Sequence, residues 1–167
     1  LKGVMVAYVD NAAVVHSGCH ERYQIGDNNF YQLSPGFSPK VIKTEMTTSS
    51  AAVLPQAGFA ASCSAEIRDE GSTGLGSVPL VAMSGMCLSY LRIPDYQKPW
   101  ENDRSLPDFL APPLRIAMEG FEGCSRYNRR FGRPLTCGFF RTYEMDDRSI
   151  SGKYWGFDHP LILSGGY

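Results

Sequence analysis

Gly3-Val4-Met5-Val6-Ala7-Tyr8-Val9, then Asp10-Asn11, then Ala12-Ala13-Val14-Val15-His16 is the stretch whose reading decides the fold. The first run is β-branched and aromatic, Asp10-Asn11 is turn chemistry, and the third run is apolar again. Together they predict a β-hairpin. Val4, Val6 and Tyr8 fall on one face of the first strand, and Met5, Ala7 and Val9 on the other. With both faces apolar, that strand is expected at the centre of a sheet rather than at its edge.

Outward from the hairpin, short runs alternate with turn signals. Gly26-Asp27-Asn28-Asn29, Ser34-Pro35-Gly36 and Ser38-Pro39 punctuate residues 26–40, and Phe30, Tyr31 and Phe37 suggest a short strand and an aromatic-bearing loop. Val41 to Thr48 alternates weakly, as a half-buried strand does. Residues 49–64 are small and Ala-rich, but Pro55 and Gly58 leave room for at most a short helix. Glu70-Gly71-Ser72-Thr73-Gly74-Leu75-Gly76-Ser77 reads as a flexible loop. It lacks Gly-Lys-Ser/Thr and a strand-loop-helix context, so it is not read as a phosphate cradle. Val78 to Leu91 reads as an apolar strand pair broken at Ser84-Gly85.

Residues 92–113 are irregular, with Pro94, Pro99, Pro107, Pro112 and Pro113 around the charged insert Glu101-Asn102-Asp103-Arg104. Such a stretch is uncommon inside a domain. It reads either as a connection wrapped over the core by Tyr96, Trp100 and Phe109 or as an interaction arm. Leu114 to Phe121 fits helical spacing, with Pro113 suited to the first position, and strand alternation equally well. Gly120 and Gly123 shorten a helix in either case. Leu135–Tyr143 and Ser149–Trp155 predict two strands joined at Met145-Asp146-Asp147, and His159–Leu163 a last short one. The sum is a mainly β chain: one antiparallel sandwich or barrel-like domain over 1–167, with at most one or two short helices and a long Pro-rich loop.

Composition bounds the function. A chain of 167 residues matches one domain at the usual length of roughly 150. Sixteen Lys+Arg against 17 Asp+Glu exclude a chain-wide basic footprint for nucleic acid or anionic membrane. No apolar run reaches the length of about 18 residues that a spanning helix needs. Leu1-Lys2-Gly3 has neither an initiator Met nor signal-peptide regions, as in a processed or trimmed chain. Five cysteines, Cys19, Cys63, Cys87, Cys124 and Cys137, allow two disulfides and a spare thiol in an oxidising compartment, or five thiols in a reducing one. Extracytoplasmic or secreted placement is the expectation drawn from them.

The densest cluster of metal-ligating types is His16-Ser17-Gly18-Cys19-His20-Glu21. A helix would gather His16, Cys19 and His20 on one face. The preceding strand and Gly18 oppose that helix, so no metal and no cofactor are assigned. Asp69-Glu70, Asp146-Asp147 and Asp158 are acids expected to be solvated in turns. The leading surface is Cys124 to Cys137, where Arg126, Tyr127, Arg129, Arg130, Phe131 and Arg133 intermix arginines with aromatics, followed by Arg141. Guanidinium forks bind anions bidentately, and aromatic faces stack rings. A Cys124–Cys137 bridge would clip this segment into a platform; the alternative is a solvated basic turn paired with Glu119, Glu122, Asp146 and Asp147. Trp155 and His159, in Lys153-Tyr154-Trp155-Gly156-Phe157-Asp158-His159, complete the candidate ligand-binding set.

Asp158-His159-Pro160-Leu161-Ile162-Leu163-Ser164-Gly165-Gly166-Tyr167 resembles, over about ten residues, the catalytic-strand region of small fungal guanyl-specific ribonucleases and the related effector proteins. That resemblance implies a hydrolase using His159 with Asp158 or Glu144 and an arginine, yet the strands carrying that family's arginine and histidine are missing. The leading expectation is therefore a non-enzymatic recognition domain for an anionic ligand, a glycan or nucleic acid, or for a protein partner. A structural subunit of an oligomer or larger assembly, docking through 92–113, is the first alternative, and the ribonuclease-type hydrolase the second.

Overall fold

A computed structural model describes residues 2–10, 12–47, 49–75, 77–147 and 149–166. The expectations made at Leu1, Asn11, Thr48, Gly76 and Tyr167 lie outside the described residues. The elements run β1 (Val4–Asp10), β2 (Ala12–Val15), β3 (Cys19–Ile25), β4 (Tyr31–Phe37), β5 (Lys40–Thr47), α1 (Ser49–Val53), α2 (Pro55–Gly71), β6 (Ala82–Leu88), α3 (Pro113–Arg129), β7 (Leu135–Thr142), β8 (Glu144–Asp147), β9 (Lys153–Gly156) and β10 (Leu161–Gly166).

Six strands form a mixed sheet in the order β1-β2-β5-β10-β6-β7. β6 and β7 run parallel, and the other neighbours are antiparallel. α2 and α3 pack on each other, α2 also over β5 and β10, and α3 over β6. β3–β4 and β8–β9 are separate two-stranded ribbons. This corrects the expected antiparallel sandwich or barrel: the domain is a mixed sheet layered with helices.

Two 17-residue helices caused the difference, because their signals were read as helix breakers. Pro55 occupies the first turn of α2, where its missing N–H is not needed. Gly58 lies where a Cβ would come within 2.6 Å of the Ala51 backbone, and Gly120 where one would meet the Phe59 ring at 2.5 Å. Both glycines permit close packing rather than ending a helix. α3 then runs well past the expected Phe121, and its last turns contain Arg126, Tyr127 and Arg129 of the arginine segment. Parallel strands need a long crossover, and residues 89–134, with α3 inside them, supply it between β6 and β7.

Three smaller expectations are corrected as well. β1 pairs with β2 as foreseen, but it is an edge strand, with Val9 and Tyr8 exposed. Alternation reports that two faces are apolar, not what covers them. β6 runs unbroken through Ser84-Gly85. The last hairpin joins β8 to β9, while β7 pairs with β6.

The core lies between sheet and helices. Phe59, Met86, Leu88, Ile116 and Ile162 are fully buried, with Ala51, Cys63, Ala111 and Cys124 among them. Each large side chain there contributes roughly 1.5–3 kcal/mol. Residues 92–112 form no helix or strand, yet they are tied down. Leu110 and Ala111 are buried, and Ala111 N donates to Ala52 O at 2.7 Å. Arg92 forks onto Glu144 at 2.7 and 2.6 Å, and Arg104 pairs with Asp158. The segment is a stapled connection rather than a free docking arm.

All five cysteines are thiols, which corrects the expected disulfide framework. Cys124 sits inside α3, buried against Cys63 of α2 with 3.1 Å between sulfurs, while Cys137 is exposed on β7. The arginine segment is therefore not clipped.

Candidate functional site

The second half of α2 carries Glu66, Asp69 and Glu70 at helical spacing i, i+3, i+4, which places them on neighbouring positions of one face. All three are buried. Packing α2 onto β5 and β10 brings them against two cations, and two clusters result.

Asp69 meets Lys43. Lys43 and Glu45 stand two residues apart on β5 and share a face of the sheet. The Lys43 Nζ lies 2.9 Å from Asp69 Oδ2 and 3.2 Å from Glu45 Oε2, and the side chains are 7%, 8% and 30% exposed for Lys43, Asp69 and Glu45. The hydrogen bond from Lys43 outweighs burial and holds the Asp69 carboxyl below the usual carboxylate range. For Lys43, burial opposes the charge, but hydrogen bonds to Asp69 and Glu45 overcome it and raise the ammonium above its ordinary value. Both ends stay ionised at neutral pH. Arg68 Nε adds a 3.0 Å contact to Asp69 Oδ1.

Asp69 also lines a cavity of about 360 Å³. Val6, Val9, Ala12 and Val14 form its apolar wall, and Ser72, Thr73 and Gly74 close its other side. The glycine-bearing segment here ends a helix. The Ser72, Thr73 and Gly74 amides donate to Arg68, Glu70 and Ser72 carbonyls, and the Ser72 and Thr73 hydroxyls donate to Arg68 and Asp69 carbonyls. With those amides engaged, and a helix C-terminus carrying partial negative charge, this end of the cavity favours a cation.

Glu66 and Glu70 meet Arg133. The guanidinium is 0% exposed; it forks onto Glu66 with two 2.6 Å bonds and reaches Glu70 Oε2 at 2.6 Å. Asn128 Oδ1 accepts from the same group at 3.3 Å. Two carboxyls against one guanidinium leave an excess negative charge in the interior. Burial and the neighbouring Glu66 push Glu70 up to about 8.

The residues expected from sequence are scattered. Arg126 pairs with Glu122 at 2.8 Å on exposed α3, and Tyr127 leans on Phe131 with ring centroids 5.4 Å apart. Arg126, Tyr127 and Arg130 share a shallow hollow with Gln56 and Ala60. Arg129 and Phe131 are exposed beside it. Arg133 does not belong to that surface at all: it faces the interior. Arg141 is exposed on β7, Trp155 on β9, and His159 just before β10. Asp158 accepts from Ser89 at 2.8 Å and from Arg104, and Glu144 binds Arg92, so both acids of the ribonuclease-like reading are engaged in structural pairs. Cys19 and His20 are successive residues of a strand and point to opposite faces, so the helical gathering with His16 does not occur. His16 packs on the Phe37 ring at 5.1 Å.

Lys43 and Glu45 were not singled out in the sequence, and Asp69 and Glu70 were assigned to a solvated turn. The overlooked signal was the i, i+3, i+4 run of acids, which has meaning only once residues 55–71 are read as a helix.

No family model matches the chain. Among solved structures, PurLQS from Thermotoga maritima is similar over 98% of this chain at 13% identity, with a TM-score of 0.57. T. maritima PurL complexed with ATP is similar over the same share at 13% identity, with a TM-score of 0.55. The chain spans 21% of the length of each. This likeness is one of fold, and the fold is that of an enzyme segment. It overturns the expected non-enzymatic recognition domain, together with its alternatives of a docking subunit and a ribonuclease-type hydrolase. Among the described residues no helix is long and apolar enough to cross a membrane.

Proposed function

We propose that the chain is the nucleotide-binding part of a larger ATP-dependent enzyme of the PurL kind, and that the Lys43–Glu45–Asp69 cluster with its cavity is where nucleotide and metal meet the fold. The observation that carries this reading is the cluster itself: a buried lysine bridging two carboxylates, one of which, Asp69, lines a cavity with an apolar wall. The fold shared with T. maritima PurL complexed with ATP supports it.

The donor chemistry fits Mg²⁺, a hard cation usually held by one or two carboxylates together with substrate phosphates. Lys43 takes one oxygen of Glu45 and one of Asp69, and the exposed Arg68 takes the second oxygen of Asp69, so Mg²⁺ would reach Asp69 by displacing Arg68. The negative end of α2 adds to the field there. Bound Mg²⁺–ATP would supply an activated phosphoryl group. The chain's own residues bind and orient: Val6, Val9 and Val14 offer an apolar wall for a base, Asp69 and Glu45 hold the cation, and the Lys43 ammonium offsets phosphate charge.

The test is equilibrium binding of ATP to the chain with and without Mg²⁺. Affinity is expected to depend on Mg²⁺ and to weaken at least about tenfold in Asp69→Asn and in Glu45→Gln. ATP affinity indifferent to both substitutions would remove the assignment.

A further inference from the structure

β3 and β4 form a two-stranded ribbon that pairs with no other described strand. The register fixes what each face carries. Tyr23 lies opposite Leu33 and Ile25 opposite Tyr31, with Glu21–Pro35 and Cys19–Phe37 following on the same face. His20, Arg22 and Gln24 share the other face with Gly36, Ser34 and Gln32. The polar face is the one turned toward the domain: His20 and Arg22 line a cavity of about 370 Å³ together with Lys40, Glu70 and Ser77. Arg22 Nη1 donates to Ser38 Oγ at 3.3 Å, and its guanidinium lies against Gly36 and Gln24.

An antiparallel pair normally turns its apolar face to its own core and its polar face to water. Here that order is reversed. Tyr23, Ile25, Tyr31, Leu33 and Phe37 are 46–74% exposed, and Phe30, in the turn between the strands, is as exposed as Tyr31. A two-stranded ribbon is marginally stable until its apolar face is covered. At roughly 150–250 Å² for each aromatic side chain, these exposures leave on the order of 600 Å² of apolar surface, against about 800 Å² per partner in a standard interface.

We propose that a second copy of this chain covers the face, in a two-fold dimer that packs ribbon on ribbon. The layout of the four central side chains is what selects a second copy. In the square made by Tyr23–Leu33 and Ile25–Tyr31, the tyrosines occupy one diagonal and the aliphatic residues the other. A two-fold axis lying in the interface, along the strands or across them, therefore sets each tyrosine of one copy on Leu33 or Ile25 of the other. Two flat ribbons also meet at the usual sheet-to-sheet spacing of about 10 Å without a groove on either side. Charge agrees: Glu21, at the root of the ribbon, is the only charged side chain among the paired residues of this face, so the copies bring no like charges together at its centre. The dimer does not rest on the nucleotide reading.

Sedimentation equilibrium of the chain across about 1–100 µM tests it. A monomer–dimer equilibrium is expected, its dissociation constant raised at least about a hundredfold in Leu33→Lys and in Tyr23→Lys, which put charge at the centre of the face. Both positions are exposed, so at dilutions where the wild type is monomeric the variants should keep its thermal transition. Met46→Lys, exposed on the six-stranded sheet, and His20→Gln, on the polar face of the ribbon, should leave association unchanged. Hydrogen exchange of the wild-type chain at the two ends of that concentration range needs no variant: the protection gained on concentration should centre on residues 19–37. A monomer throughout, which would assign the face to a different chain, would overturn the proposal. So would association lost in Met46→Lys but kept in Leu33→Lys, or protection gained only outside the ribbon.

Discussion

Two charged clusters hang from one short stretch of α2, Glu66 to Glu70, and they are built to opposite ends. Around Arg133, two carboxyls and one guanidinium are sealed at 0–1% exposure, with every contact internal to the domain. Around Lys43, one lysine bridges two carboxylates; Glu45 stays 30% exposed, and Asp69 lines a cavity. The sealed cluster holds α2 to the segment between α3 and β7. The open one sets one of its carboxylates, Asp69, in the wall of a space that a ligand can enter. Burial and charge therefore do not by themselves mark a functional site; what separates the two is access, since Glu45 is 30% exposed where Glu66, Glu70 and Arg133 are at 0–1%.

That contrast can be broken by substitution. Arg133→Met should have the largest effect, because it strands Glu66 and Glu70 in the interior; a loss of about 3–5 kcal/mol is expected in urea unfolding. A loss below about 1 kcal/mol would mean that the cluster is not the clamp described. Asp69→Asn should destabilise less, by about 1–3 kcal/mol, while removing Mg²⁺-dependent ATP affinity. Because the folded pKa of Asp69 lies below its unfolded value of roughly 3.9, its contribution is complete above that pH. It is lost as the pH falls through the lower folded value.

Glu70 has the opposite sign. Its folded pKa is raised to about 8, so between roughly pH 4.5 and 8 the folded chain keeps a proton that the unfolded chain has released. Stability should fall as pH rises through that window, with a slope of at most about 1.4 kcal/mol per pH unit. Glu70→Gln should flatten the slope; an unchanged profile in unfolding midpoints from pH 5 to 8 would show that the sealed cluster holds no extra proton. The smallest effect is expected from Arg129→Ala with Arg130→Ala, exposed residues whose removal should shift stability by no more than about 0.5 kcal/mol.

Most strands were legible in the sequence. The opening hairpin, the alternation ending in β5, β7 and the last short strand follow from periodicity and turn residues, which act over a few neighbouring positions. The helices were hidden because Pro55, Gly58, Gly120 and Gly123 are breakers in isolation. In the folded chain Pro55 starts a helix, and Gly58 and Gly120 let α1 and Phe59 approach. Arg133 was read as part of an exposed basic stripe because local spacing says nothing about which arginine faces inward.

The sequence by itself determined that the chain forms a core, that it offers no apolar run long enough for a spanning helix, and where most strands lie, since each depends on composition or on contacts within a few residues. Only the tertiary structure decided that β1 is an edge, that β6 and β7 run parallel, and that the sheet carries helices. It alone brought Lys43 and Glu45 to Asp69, and Arg133 to Glu66 and Glu70. The physical reason is separation along the chain: Lys43 and Asp69 are 26 positions apart, and Glu66 and Arg133 are 67 apart. Pairings over such distances follow from how α2 packs on the sheet rather than from any local preference of the residues that meet.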